Sequence, residues 1–443
     1  MTTPAATSLV LRRARVPVTL LPASFTTESW HSLDPTILCD VTLREGRIVQ
    51  VQPTGSSASA SEPTLDLEGR LVFSAFVEAH THLDRAHTWC RAPNASNTFG
   101  EASKTLNADH ARQTPEDIRF RADFALRSAW AHGTRLVRTH VVGDAGPTTE
   151  RHAVMDDLRA KWHNRIELQT VALCSGAHYG TVRGEQMADI AVQHRASALG
   201  GFFVMSPELP RQIDRLLAIA RERRIGIDLH VDENGDANSE CLRLVAESVL
   251  RQQFDLPVVC GHCCSLSVQT PARRQETIAL VKAAGISVIG LPLCNLYLQD
   301  RRRESGARSP QWRGLAPLLD LWEAGVPVAC ASDNVRDAFF PYGDLDPLEV
   351  YVQSLRLAHL DHHLADSLRV VTTYAADIVG RPDLGRVTPG AAGHLVVFEA
   401  RSFSELLSRP GIARRCLDDG ELRSLPLPDY AELRTAGLMD FPT

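Results

Sequence analysis

Residues 71–84 read LVFSAFVEAHTHLD, an apolar run that turns polar only at its end, at Glu78, His80, His82 and Asp84. Seven further runs share this shape: TRLVRTHV (134–141), IELQTVAL (166–173), GGFFVM (200–205), IGIDLH (225–230), LPVVCGH (256–262), ISVIGLP (286–292) and VPVACASD (326–333). Such runs suit parallel strands buried on both faces, and the segments between them have helical character. In residues 114–133, Thr114 is placed to cap, Pro115 to take the first turn, and Glu116 and Asp117 to meet the helix dipole. Ile118, Ala122, Ala125, Leu126 and Ala129 make one apolar face, and Gly133 ends the helix. Eight strands alternating with helices predict an α/β fold, a (β/α)8 TIM barrel over residues 71–382.

The ends read differently. Residues 1–70 are short strand-like pieces with a hairpin signal at Glu45-Gly46, the stretch TGSSASASEPT (54–64) reads as a loop, and strand-like text returns at LGRVTPGAAGHLVVFEA (384–400). Residues 1–70 and 383–443 are expected to pair into one small second β domain.

With 443 residues, 44% of them apolar, the chain can bury a large core. Its 47 basic and 53 acidic residues are interspersed and sum to −6, so nothing points to nucleic acid or a membrane surface as partner. No apolar stretch is long enough to span a bilayer, and the start, MTTPAATSLVLRRARV, lacks a signal-peptide core. We expect a cytoplasmic homo-oligomer acting on a small molecule.

In a barrel, chemistry gathers at the C-terminal ends of the strands. The first run ends in Glu78-Ala-His80-Thr-His82-Leu-Asp84, the fifth in His230-Val-Asp232-Glu233, the sixth in His262 and the eighth in Ser332-Asp333-Asn334. Alternate residues on a strand face one side, so His80 and His82 can share a metal, with His230 as third nitrogen and Asp333 as a hard oxygen. Three nitrogens and one oxygen leave a position open for water and suit one divalent ion, Zn2+ or Fe2+. Glu233 is then placed to move protons, and His262 to hydrogen-bond the attacking water or the developing oxyanion. The competing readings are buried core histidines for His230 and His262 and a helix cap for Asp333.

The sixth run continues as VVCGHCCS (258–265), which contains Cys260-Gly-His-Cys263, a spacing also used by thiol–disulfide catalysts. A catalytic Cys-x-x-Cys needs its first thiol exposed at a helix N-terminus, whereas here the strand is still running and Cys260 falls in the barrel wall. A zinc knuckle needs a second such pair, and the chain has none. A thiol-redox protein using Cys260 and Cys263 is the alternative from another class.

The segments FVEAHTHLDRAHTW (76–89), IDLHVDENGD (227–236), VCGHCC (259–264) and ASDNVRDAFFPYGDLDPLEV (331–350), in this order, resemble the metal-binding segments of the amidohydrolase superfamily. The similarity is to its cytosine deaminase branch, which includes N-isopropylammelide hydrolase, and covers roughly residues 70–400. It implies a barrel with a small β-sandwich built from both termini. It implies a single metal on His80, His82, His230 and Asp333, with Glu233 and His262, alongside Asp333, as catalytic groups. Other branches bridge two metals through a carboxylated lysine ending the fourth strand, and none of Lys104, Lys161 and Lys282 lies there.

This resemblance implies a hydrolytic deaminase that replaces an exocyclic amino group of a cytosine-, pterin- or aminotriazine-like heterocycle with oxygen and releases ammonia. The alternative is hydrolysis of an N-alkylamino or cyclic amide bond. Where cytosine deaminases carry a ring-reading glutamine this chain has Ser175, a second aspartate after the metal aspartate is replaced by Asn334, and the usual Pro-Gly before the first motif is Ser74-Ala75. Ser175, His178 and Asn334 are candidate readers of the ring edge, Phe339 a candidate lid, and Trp89 and Tyr297 candidate pocket walls. Arg336 and Asp337 read as an ion pair, and His87 and His140 have no assigned role.

Overall fold

The eight runs form one parallel sheet in the computed structural model. Its strands are Phe76–Thr81, Thr134–Val142, Glu167–Ser175, Ala198–Phe203, Gly226–Val231, Val258–His262, Ser287–Gly290 and Val328–Cys330, each beside the next in chain order. The last strand meets the first: Thr81 bridges Asp333 in parallel, Asp333 N donates to His80 O (2.9 Å), and Thr81 Oγ1 donates to Asp333 O (2.7 Å). The sheet is therefore a closed barrel, as the run pattern predicted. The structure describes residues 8–27, 30–55, 62–143, 148–301, 309–409, 411–418 and 420–435; the first seven residues and 56–61 of the predicted loop lie outside these.

Local chemistry explains the elements. Thr114 Oγ1 accepts from Asp117 N (3.2 Å) at the start of the helix Pro115–Ala131, whose face Ile118, Ala122, Ala125 and Leu126 is buried. Gly133 ends it with φ +94°, and a Cβ there would come within 2.4 Å of Val396 Cγ2, so backbone freedom and close packing both select glycine. Arg121, fully buried on this helix, donates to Asp84 O and Ala86 O and pairs with Asp117, tying the helix to the loop beyond the first strand.

The quoted opening run is divided between two sheets. Val72–Ser74 pairs antiparallel with Leu395–Phe398 in a four-stranded sheet completed by Arg414–Asp418 and Glu421–Arg423, and only Phe76–Thr81 enters the barrel. A second four-stranded sheet joins Ser8–Pro17, Thr36–Arg44, Arg47–Pro53 and Thr64–Asp66. The terminal segments thus build two sheets separate from the barrel, one from the first 66 residues alone and one that joins Val72–Ser74 to strands after residue 394.

By internal contacts one unit comprises Met1–Val77, Ala129–Arg135 and Pro347–Leu427 and carries these sheets; the other comprises Glu78–Ser128, Leu136–Asp346 and Pro428–Thr443. The helices after Pro347 go with the terminal sheets, and the segment after Pro428 goes with the barrel. Leu433 is fully buried there against Phe124, with Tyr430 alongside and Glu432 paired to Arg127 (2.6 Å). Among the described residues no helix is long and apolar enough to cross a membrane.

Candidate metal centre and active site

His80 and His82 leave the first strand on one side, His230 ends the fifth, and Asp333 follows the eighth; all four are nearly fully buried. His82 Nε2 lies 3.3 Å from His230 Nε2 and 3.3 Å from Asp333 Oδ1, and His80 Nε2 lies 3.7 Å from the same oxygen. Neither nitrogen of His80, neither oxygen of Asp333, nor Nδ1 of His82 and His230 has a hydrogen-bond partner. Each such buried, unsatisfied group costs roughly 1–3 kcal/mol. A set of this kind persists when something else satisfies it, and the chemistry of three imidazoles and a carboxylate fits a divalent cation.

Electrostatics support the same assignment. Burial first, then neighbouring positive charge, holds His80 and His230 well below the usual imidazole range and lowers His82, so all three rings are neutral with lone pairs available. Burial alone would raise Asp333, but its contact with His82 and the charges of His262 and Arg85 bring it down to about 2, so it is ionised. Glu233 goes the other way: burial and the nearby Asp333 charge raise it well above the carboxylate range, which favours its protonated form. Two neighbouring carboxyls pushed apart in this way can serve as an acid and a base.

His262 sits between these groups, with Nδ1 3.4 Å from Glu233 Oε1 and 3.0 Å from Asn295 Nδ2. An amide N–H donated to Nδ1 leaves the ring proton on Nε2, which has no protein partner. Burial lowers His262 to about 4, so this ring too is neutral.

The backbone is fixed at the same points. Asp232, His262 and Asp333 have φ of +55°, +70° and +65°, a left-handed region costly for these residue types, at three strand ends that carry the chemistry. Asp232 is held by Ser239 Oγ (2.7 Å), Cys241 N (2.9 Å) and Leu242 N (2.8 Å), which also caps the helix Cys241–Gln252 and sets the direction of the neighbouring Glu233. Glu78 accepts from Ser332 N, Ser332 Oγ (2.6 Å) and His80 N (3.2 Å), locking the first strand to the last. Only Glu78 and Asp232 were visible in sequence, as polar residues within strand-end clusters; Asn295 and Arg85 left no signal.

A cavity of about 250 Å³ opens beside the cluster, bordered by Glu233, His262 and Asp333. Phe99 stacks on Phe202 (5.7 Å, 16° between planes) and meets Phe339 edge-on (5.4 Å), making an aromatic wall, and the helix Phe99–Asp109 adds Ser103, Leu106 and Asn107. Of the predicted substrate groups, Asn334 and Phe339 line this cavity, but the third strand contributes Cys174 rather than Ser175, and His178 and Trp89 are not among the lining residues. Asn334 is committed to the protein, donating to Asp337 Oδ2 (2.6 Å) and accepting from Cys294 Sγ (3.4 Å). Tyr297 hydrogen-bonds Asn97.

Asp337 does not pair with Arg336 as its sequence position suggested. It receives Asn334, Phe339 N and Phe340 N and lies 3.4 Å from Arg85, while Arg336 packs over the Tyr430 ring (4.6 Å). His140 lies against His80 (4.0 Å between ring centres) with Asp228 3.8 Å beyond, and His87 packs on Phe124 and Tyr430. All ten cysteines are buried free thiols, and burial raises Cys260 and Cys263 well above the usual thiol range. That removes the basis for a thiolate nucleophile at the Cys-Gly-His-Cys stretch.

Comparison with known proteins agrees with this geometry. The chain is 41% identical to a pterin deaminase of Rhizobium rhizogenes (strain K84 / ATCC BAA-868) over 98% of both chains. The 5-methylcytosine deaminase of Klebsiella pneumoniae, solved with 5-fluorocytosine, has the same fold (TM-score 0.79, 23% identity, 96% of this chain and 100% of that one). So has an adenosine deaminase of Xanthomonas campestris with bound zinc (TM-score 0.66, 18% identity, 98% of each chain). The profile described as "Amidohydrolase family" matches residues 182–410. The chain belongs to the amidohydrolase family.

Proposed function

We propose that this amidohydrolase removes the exocyclic amino group of a fused 2-amino-4-oxo heterocycle of the pterin type, exchanging it for oxygen from water and releasing ammonia. The observation that carries this reading is a buried, unsatisfied His80–His82–His230–Asp333 set with Glu233 beside it, next to one aromatic-walled cavity. The likeness to a pterin deaminase along nearly the whole chain supports the ring type. Cavity size suits one or two rings and excludes a polymer.

His80, His82, His230 and Asp333 would hold one divalent ion, whose Lewis acidity would lower the pKa of the attacking water toward neutrality; zinc and ferrous iron both fit this donor set. Glu233 gives its proton to the ring nitrogen beside the attacked carbon, which makes that carbon electrophilic. Neutral His262 steadies the incoming oxygen through Nε2, and ionised Asp333 takes the proton that the water gives up. That proton then passes from Asp333 to the departing amino group, and the remaining hydroxyl proton returns to Glu233 as the carbonyl forms, so substrate and water become the oxo-heterocycle and ammonia. The buried reduced thiols suit a cytoplasmic enzyme.

The test is ammonia release by metal-loaded protein from pterin, cytosine, isoguanine and ammelide, beside Glu233→Gln. We expect release from pterin and a fall of at least about 1000-fold in the variant. Silence across the panel from protein holding one metal would overturn the proposal in favour of alkylamino or cyclic amide hydrolysis.

A further inference from the structure

Buried arginines among the described residues differ in how fully their donors are used, and one with unbonded donors, Arg151, does not line the cavity. Arg121 is saturated: Nη1 and Nη2 donate to Asp84 O and Ala86 O, and Nε and Nη2 donate to Asp117. Arg138 is spoken for by Gln169 and Asp228. Such arginines hold the fold together.

Arg85 differs. It is 8% exposed and lines the cavity with Glu233 and Asp333, yet among the described residues none of its side-chain N–H groups makes a hydrogen bond. Its engagements are a long ion pair, Nε to Asp337 Oδ2 at 3.4 Å, and the face of Phe339 beneath the guanidinium at 4.6 Å. Packing over an aromatic face restrains the guanidinium without using its donors. A buried guanidinium set over Phe339 beside Glu233 and Asp333, with donors unspent, can receive acceptors from a ligand.

We infer that Arg85 is the residue that reads the substrate, through a bidentate contact to a ring carbonyl oxygen and the ring nitrogen beside it. The inference rests on the deaminase reading above and narrows its substrate class. A planar fork needs two acceptors on one edge, as in its favoured contact with O6 and N7 of guanine. A 2-amino-4-oxopteridine presents the same pair as O4 and N5, whereas the corresponding pair of a single aminopyrimidine, O2 and N3 of cytosine, includes the nitrogen that Glu233 protonates. Arg85 thus takes over edge reading in a chain with Ser175 where cytosine deaminases carry glutamine, and favours fused rings over single ones.

The experiment compares pterin with 5-deazapterin, in which N5 is replaced by C–H, on wild type, Arg85→Lys and Arg85→Gln, with kcat/KM, metal content and Tm for each. The wild type is expected to favour pterin by about 10- to 100-fold, the usual worth of one bidentate contact. Both variants should lose that preference, to a ratio near 1, with metal content unchanged; Lys keeps the charge but not the fork. A wild type that treats the two alike to within about threefold overturns the inference without any variant, and so does a variant that keeps the full ratio. If the wild type releases no ammonia from pterin, the deaminase reading falls. The ratio of the two dissociation constants, read from ligand fluorescence, then decides Arg85 alone, and failure to bind either ligand overturns both.

Discussion

Glu78 shows how much one carboxyl can carry. It lies at the joint between the first and last strands, and burial, outweighing its bonds to Ser332 and His80, raises it from the ordinary 4.5 to about 7. Between these values the unfolded chain ionises the group while the folded chain keeps it protonated, so rising pH favours the unfolded state. The contribution is whole below about pH 4.5 and lost as pH passes about 7. In Glu78→Gln this dependence should vanish, so urea unfolding should show the variant gaining on wild type between about pH 5 and about pH 7.5. A difference constant with pH would refute the assignment. His80 and His82 could be paired from sequence because a strand's period of two says which residues share a side, and His230, Glu233 and Asp333 were singled out because each closes or follows an apolar run. Arg85 was not, because its role follows from which bonds it lacks.

At the scale of elements, the strand-end loops do the positioning. Asp232 both caps the helix Cys241–Gln252 and precedes Glu233, so one side chain couples a helix start to the backbone that carries the proposed proton donor. Asp232→Ala should cost about 1–2 kcal/mol in stability, the usual worth of a cap, and lower kcat more than it raises KM. Asp232→Asn, which keeps an acceptor, should recover most of both; unchanged kcat in the alanine variant would leave Asp232 a cap only.

The same scale marks where sequence reading stops. Thr114, Pro115 and Gly133 announced their helix because caps are local chemistry. The aromatic wall did not announce itself: Phe99 and Phe202 come from a loop helix and the fourth strand, and only tertiary packing stacks them. Trp89 lies within a recognisable motif, yet its backbone N is bound to Arg336 O (2.7 Å) and the cavity forms elsewhere. The split of the opening run between two sheets was equally hidden, since Val72–Ser74 and Phe76–Thr81 are alike in composition.

For the whole molecule, two measurements follow from burial. Chelation should abolish activity and lower Tm, and added zinc or iron should restore both in proportion to occupancy, because an ion that binds only the folded state stabilises it by mass action. A Tm indifferent to chelator would count against His80, His82, His230 and Asp333 as ligands. The ten buried thiols should resist an aromatic disulfide reagent in the native protein and all react in denaturant. Fast native labelling of Cys260 or Cys263 would revive the redox reading that the barrel wall argues against.

The seam closed by Thr81 and Asp333 spans 252 positions of chain. Synthesis runs from the amino terminus, so His80 and His82 emerge first, His230 much later, and Asp333 last. No nascent fragment that stops short of Asp333 holds the complete donor set, and one ending before the eighth strand has three imidazoles but neither the carboxylate nor the closing strand. Joining the two edges and completing the His80–His82–His230–Asp333 set therefore depend on the same stretch of chain, the one that follows the eighth strand.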